Sequence, residues 1–107
     1  MTIDLHKYVE FVDGTTSDPS KYYSEVIDRL IQLESEEFAT ERLLTAAVGM
    51  SAEAGEFTEI VKKIVFQGKP VNNENLFHLK RELGDIMWYV AQAVSYTHLT
   101  LPTILLV

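Results

Sequence analysis

The sequence predicts an all-α fold, an antiparallel bundle of about four helices followed by an irregular tail. Three observations predict it. Apolar residues recur at helical spacing in four segments. Breakers and capping residues such as Asp13-Gly14, Pro19, Gly68, Pro70 and Asn72-Asn73 separate those segments. An acidic, amphipathic style persists up to about Val94 and then stops.

The first helix is expected over Asp4 to Val12, where Leu5, Tyr8, Val9 and Val12 share a face, with Asp13-Gly14 as its stop. Thr15 to Ser20, with Pro19, reads as a loop. A second helix is expected from about Ser20 to Leu33, burying Tyr22, Tyr23, Val26, Ile27 and Leu30. Glu34 to Ala39 is a turn, and Thr40 is placed to cap a third helix reaching Phe66, with Glu41 in its first turn. Its middle is rich in small residues (Ala46, Ala47, Gly49, Ser51, Ala52, Ala54, Gly55), which let a neighbouring helix approach closely. Gly68 and Pro70 close it. Asn72-Asn73 opens a fourth helix from Glu74 to about Val94, with a continuous apolar side through Leu76, Leu79, Leu83, Ile86, Met87 and Val90. Residues 95–107, SYTHLTLPTILLV, are β-branched, lack Asp, Glu, Lys and Arg, and carry Pro102 in mid-run.

Composition narrows the function classes. A chain of 107 residues holds one small domain, and a helical one this short is often completed by oligomerisation. A formal net charge of −7 argues against nucleic-acid binding, although a metal ion bridging acidic side chains and phosphates still allows nucleotides. With no cysteine there is neither a disulfide frame nor thiolate chemistry. No signal peptide and no membrane-length apolar run is visible, so the expectation is a cytoplasmic protein without a membrane partner.

The chemistry lies in two acidic pairs. Glu53 and Glu56 are three residues apart on the third helix, and Glu82 and Asp85 are three apart on the fourth, with 25 residues between the pairs. A three-residue step turns a helix by roughly 300°, so each pair shares a face. A short connection makes the helices antiparallel, so the four acids can converge across one interface. Unneutralised, they would repel one another and their pKa values would rise. An all-carboxylate set without His or Cys favours Mg²⁺, with Mn²⁺ as a substitute, and Mg²⁺ commonly takes phosphate oxygens as remaining ligands. A single E-x-x-E is usually only a solvated helix face. The doubled pattern between small and apolar residues is what raises the metal reading.

The segments SAEAGEFTEIVKKIVFQGKP and LKRELGDIMWYVAQAV closely resemble the MazG-like nucleotide pyrophosphohydrolases of the all-α NTP pyrophosphatase superfamily, phage-encoded members above all. The resemblance spans about His6 to Val94, so residues 1–94 are read as the MazG-like domain. It implies metal-dependent cleavage of (deoxy)nucleoside triphosphates to nucleoside monophosphate and pyrophosphate in a homo-oligomer, dimer or tetramer. It makes Glu53, Glu56, Glu82 and Asp85 the metal ligands and catalytic acids, one of which, or a water held by the metal, delivers the nucleophile to the α-phosphorus. Ala52 stands where the family usually has a further Glu, which places that acid's auxiliary role in doubt.

Four other residues are candidates for substrate binding. Lys63 lies ten residues after Glu53 on roughly the same face, with Lys62 beside it, and either is placed to meet a phosphate; the alternative is two solvated lysines at a helix C-terminus. Trp88 and Tyr89 follow Asp85 closely and are read as core aromatics, or as a stacking surface for a base. Glu59 is read as a solvated partner of Lys63 four residues on. His6, His78 and His98 form no E-x-x-H, which disfavours a di-iron carboxylate site. The tail resembles translated foreign sequence, such as adapter read-through, more than a continuation of the family; the alternative is a divergent native tail. The family's C-terminal basic helix is therefore expected to be missing. A catalytically incompetent oligomerisation module is the alternative to an enzyme.

Overall fold

A computed structural model describes residues 2–95 and 97 of the chain. It is all-α: five helices and no strand are found among the described residues. No helix among them is long and apolar enough to cross a membrane. The chain divides into two compact units, Met1–Phe38 and Ala39–Val107.

In the first unit, α1 spans Leu5–Thr15, α2 Asp18–Lys21 and α3 Tyr23–Ser35. Asp4 caps α1, its carboxylate accepting from the Lys7 backbone N–H at 3.2 Å. The helix does not stop at Asp13-Gly14. Nothing in the backbone at Gly14 demands a left-handed turn, and the Thr15 hydroxyl donates to the Phe11 and Val12 carbonyls of the last turn. The expected loop contains the one-turn α2, with Pro19 in its first turn, where its missing N–H costs nothing. Lys21 anchors the turn by donating to the Asp13 carbonyl at 3.1 Å. The second predicted helix accordingly begins at Tyr23 rather than Ser20.

α3 ends in a Schellman turn. The Glu37 N–H donates to the Glu34 carbonyl and the Phe38 N–H to the Leu33 carbonyl, both at 3.0 Å. Glu37 takes the left-handed conformation there, at φ 60°, which costs a non-glycine residue about 1 kcal/mol. The stripe expected to be buried is not. Val26 and Ile27 are half-buried, whereas Tyr22, Tyr23 and Leu30 are exposed. Three short helices have too little facing surface to enclose one another.

In the second unit, α4 spans Thr40–Phe66 and α5 spans Asn73–Ser95. Thr40 is the first helical residue rather than the cap. Ala39 occupies the cap position without a side-chain bond, and the Thr40 hydroxyl is buried and unpartnered. Beyond Phe66 the backbone reverses through Gly68 at φ 72°, where a side chain would be strained. Asn72 caps α5 by accepting from the Asn75 N–H at 2.9 Å. The buried Asn75 side chain then donates to the Pro70 carbonyl at 2.7 Å and ties the connection to the helix.

The pairing of α4 with α5 is antiparallel: Arg42 hydrogen-bonds Gln92 at 2.9 Å, Gly49 abuts Tyr89, and Glu53 faces Glu82 and Asp85. The seam runs along Ala46, Gly49 and Glu53 on one helix and Asn75, Glu82 and Tyr89 on the other. The predicted tail lies outside the described residues from 98 on. Ser95, at its start, is the last residue of α5. The Thr97 hydroxyl donates back to the Ala93 carbonyl.

Candidate metal centre on the helix pair

The middle of this seam holds acid where a helix pair ordinarily holds leucine. Glu82 is only 5% exposed, and Glu is almost never buried to that degree unless paired. Glu53 and Asp85, both half-buried, complete a group in which one carboxylate oxygen from each of the three lies within 4.8 Å of the others. No donor reaches Glu53 Oε2 or Glu82 Oε2, although both atoms are buried. Buried acceptor oxygens without donors can be satisfied by a shared proton, by water or by a cation. The Glu53 carboxyl is pushed up to about 7, first by its hydrogen-bonding contact with Glu82, then by partial burial and the charges of Glu56, Glu82 and Asp85.

The structure thus brings together three of the four predicted acids. Glu56 does not join them: its side chain is exposed and stands outside the group, acting on Glu53 only through its charge. The reason is helical geometry. Glu53 sits close to the centre line of the seam, and three residues further on the chain has turned about 60° short of a full circle, onto the flank.

The lysines are engaged elsewhere. Lys62 and Lys63 reach Glu59 at 3.3 and 3.4 Å, and these bonds, led by that from Lys62, hold the Glu59 carboxyl below its usual value. The expected Glu59–Lys63 partnership at i,i+4 is therefore present, and the lysines face solvent along with it. No histidine joins the acidic group among the described residues; His78 approaches Glu74 and His6 approaches Glu10.

Trp88 corrects its core reading, being 56% exposed. Its ring meets that of Tyr89 edge-on, with centroids 5.1 Å apart. Together with Glu53 and Asp85 the two aromatics line an open cavity of about 320 Å³. Its lining thus combines carboxylates with aromatic surface. The fit of a hard divalent cation rests on this all-oxygen donor set and on the two orphaned buried oxygens.

One residue of the site escaped sequence reasoning. Gly49 lies under the Tyr89 ring, and a Cβ placed there would overlap three of its ring atoms. The small-residue stretch signalled a close helix approach but did not say which side chain would use it. Gly49→Ala is expected to displace Tyr89 and to cost about 1–3 kcal/mol through overpacking, partly offset by roughly 1 kcal/mol of helix propensity. Thermal unfolding of the variant checks this; a clear gain in Tm would show that the ring yields freely.

The fold and the site define a class: an all-α chain with a carboxylate cluster buried between two antiparallel helices. No known family profile matches the chain. It is 42% identical over 65 residues to the Gene 37 protein of Mycobacterium phage L5, a match covering 60% of this chain and 57% of that protein. The chain thus spans less than two thirds of that relative's length. No solved structure matches it.

Proposed function

We propose that this chain is a Mg²⁺-dependent nucleoside triphosphate pyrophosphohydrolase of the MazG-like type, releasing nucleoside monophosphate and pyrophosphate. The observation that carries the reading is the pair of buried, donorless oxygens on Glu53 and Glu82, with Asp85 beside them. Such a group is costly in a helix seam unless a proton or a cation is shared within it, and an all-carboxylate donor set suits a hard cation.

Glu53, Glu82 and Asp85 would hold the ion. When bound, it supplies charge neutralisation at the phosphate oxygens. The chain's own residues do the rest. Trp88 and Tyr89 offer the base a surface beside the acids and exclude water from one side of the cavity. The tight seam fixes the carboxylates' spacing before substrate arrives. In the reaction, water attacks the α-phosphorus, the bond from that phosphorus to the bridging oxygen breaks, and pyrophosphate leaves. A carboxylate of the group takes the proton from water. In this reading the protein is cytoplasmic and oligomeric and takes neither nucleic acid nor membrane as partner.

A panel of ribo- and deoxyribonucleoside triphosphates tests it. Pyrophosphate and monophosphate are expected in equal amounts with Mg²⁺ and neither in EDTA; full turnover in EDTA would sink the metal assignment. The second reading, a helical module without turnover, draws on the engagement of Lys62 and Lys63 with Glu59, which leaves the cavity without a lysine for the phosphates. It predicts no product from any nucleotide.

A further inference from the structure

Gln92 stands two turns beyond Asp85 on α5, on the flank that carries the acids and the aromatics. At about 100° per residue, Asp85, Trp88 and Gln92 all turn to one side of the buried seam residue Glu82. Gln92 is half-buried, and the Arg42 guanidinium of α4 donates to its Oε1 at 2.9 Å. A guanidinium has donors and no acceptor, so this bond fixes which way the amide lies. Its oxygen meets Arg42, and its NH₂ group is the end left for another partner. Among the described residues no acceptor meets that NH₂ group. Along the flank the order is then carboxylates, aromatic rings, amide. Trp88 and Gln92 are four residues apart and so are neighbours on the helix surface. Asp85 to Gln92 is seven residues, roughly 10 Å at about 1.5 Å per residue. That is close to the reach from the α-phosphate of a nucleotide to the far edge of its base.

We propose that Gln92 reads the edge of the base, so that the site prefers nucleotides presenting a carbonyl oxygen there (guanine, uracil or thymine) over those presenting an amino group (adenine or cytosine). The proposal rests on the reading above, in which the acids hold the phosphate end and the rings the base. The Nε2–H donors of Gln92 pair with a base carbonyl. Against an exocyclic amino group they set donor against donor and leave both unsatisfied in a half-buried place. A glutamine free to turn over would not discriminate in this way, because it could offer its oxygen to the amino group instead. Arg42 removes that choice, since a turned amide would set its NH₂ group against the guanidinium. Arg42 is thus a positioning residue that acts through Gln92. The two residues are 50 apart in sequence, so no local motif links them.

Binding tests this apart from turnover. The chain has one tryptophan, so the fluorescence of Trp88 reports a stacked base directly. The probes are non-hydrolysable α,β-methylene analogues of GTP, UTP, ATP and CTP, each with Mg²⁺. The wild type is expected to bind the first two about tenfold more tightly than the last two. Gln92→Leu is expected to erase the difference. Gln92→Glu keeps a bond to Arg42 but presents only acceptors, and is expected to reverse it. A side chain that merely joined the two helices would lose Tm in Gln92→Leu without moving the base preference. Circular dichroism confirms that each variant is helical; should Gln92→Leu unfold, Gln92→Glu decides. Equal affinities, a preference for amino bases, a preference unchanged in a folded variant, or no binding of any analogue would overturn the inference. Pyrophosphate release from all four natural triphosphates at equal kcat/KM would overturn it while leaving the proposed function standing. The expected preference among the analogues, without turnover of any natural triphosphate, would support it while removing the proposed function.

Discussion

Glu82→Gln is expected to lower pyrophosphate release on the order of 100-fold or more while making the metal-free protein more stable. The two effects have one cause. Glu82 is buried with an oxygen that no donor reaches, so an ionised Glu82 is a liability to the fold wherever neither the Glu53 proton nor a cation is shared with it. Glutamine keeps the shape, removes the charge and presents an N–H to the orphaned Glu53 oxygen. Relieving an unsatisfied buried group is worth about 1–3 kcal/mol, or roughly 4–8 °C of Tm per kcal/mol in a domain of this size. The same substitution removes a ligand atom that a cation would need, so added Mg²⁺ should no longer raise Tm. A structural seam residue would behave oppositely, losing stability on substitution. Parallel measurement of turnover and Tm separates the two. A wild-type rate in Glu82→Gln would exclude Glu82 from the metal site.

The second large effect is the response of stability to pH and to Mg²⁺. The Glu53 carboxyl stands at about 7 in the folded protein against an ordinary value of 4.5. The folded state therefore holds this proton more tightly than the unfolded chain does. The resulting stabilisation is fully present below about pH 4.5 and is lost as pH rises through 7, the reverse of the usual behaviour of a paired carboxylate. Calorimetry between about pH 5 and pH 8 should show this in the difference between wild type and Glu53→Gln, with the wild type losing ground as pH rises. Mg²⁺ competes with the proton for the same oxygens. Its stabilisation should be larger at the alkaline end, reaching about 2.7 kcal/mol at a hundredfold excess over Kd. A wild-type advantage that grew with pH in the absence of metal would contradict the cluster's electrostatics.

How much of this was legible beforehand differs between the two halves of the chain. The end of α4 at Phe66 follows from the sequence, because turn residues stand at both ends of a long apolar periodicity; its start lies one residue earlier than expected, Ala39 rather than Thr40 being the cap. α5 differs by about a residue at each end from its expected range; of the Asn72-Asn73 pair it is Asn72 that caps, which sets the start at Asn73. The first unit is less legible. Asp13-Gly14 and Pro19 are strong punctuation by composition, yet the threonine hydroxyls carry α1 through Gly14, and a proline in a first turn starts a helix as readily as it ends one.

At the site, residue types and spacing were enough to select the acids, because i,i+3 placement on two adjacent helices is a local property. Which of them meet was not local. Glu53 occupies the seam and Glu56 the flank because of how far each helix is rotated about its axis, and that rotation is set by packing contacts such as Gly49 against Tyr89. For the same reason Trp88 could be read as core: its neighbours in sequence are apolar, and only the rotation of α5 turns it outward to the cavity.

By itself, then, the sequence determined an all-α chain, two long helices joined by a short antiparallel connection, and carboxylates as the available donors. Periodicity, capping and residue chemistry are written along the chain and act over a few residues. Only the tertiary structure decided that three acids converge rather than four, that two of their oxygens are buried without donors, and that Trp88 and Tyr89 line the cavity beside them. Those outcomes depend on the mutual rotation of α4 and α5, fixed by contacts between residues 40 apart in sequence, such as the Tyr89 ring against the bare backbone of Gly49. No local signal carries that rotation.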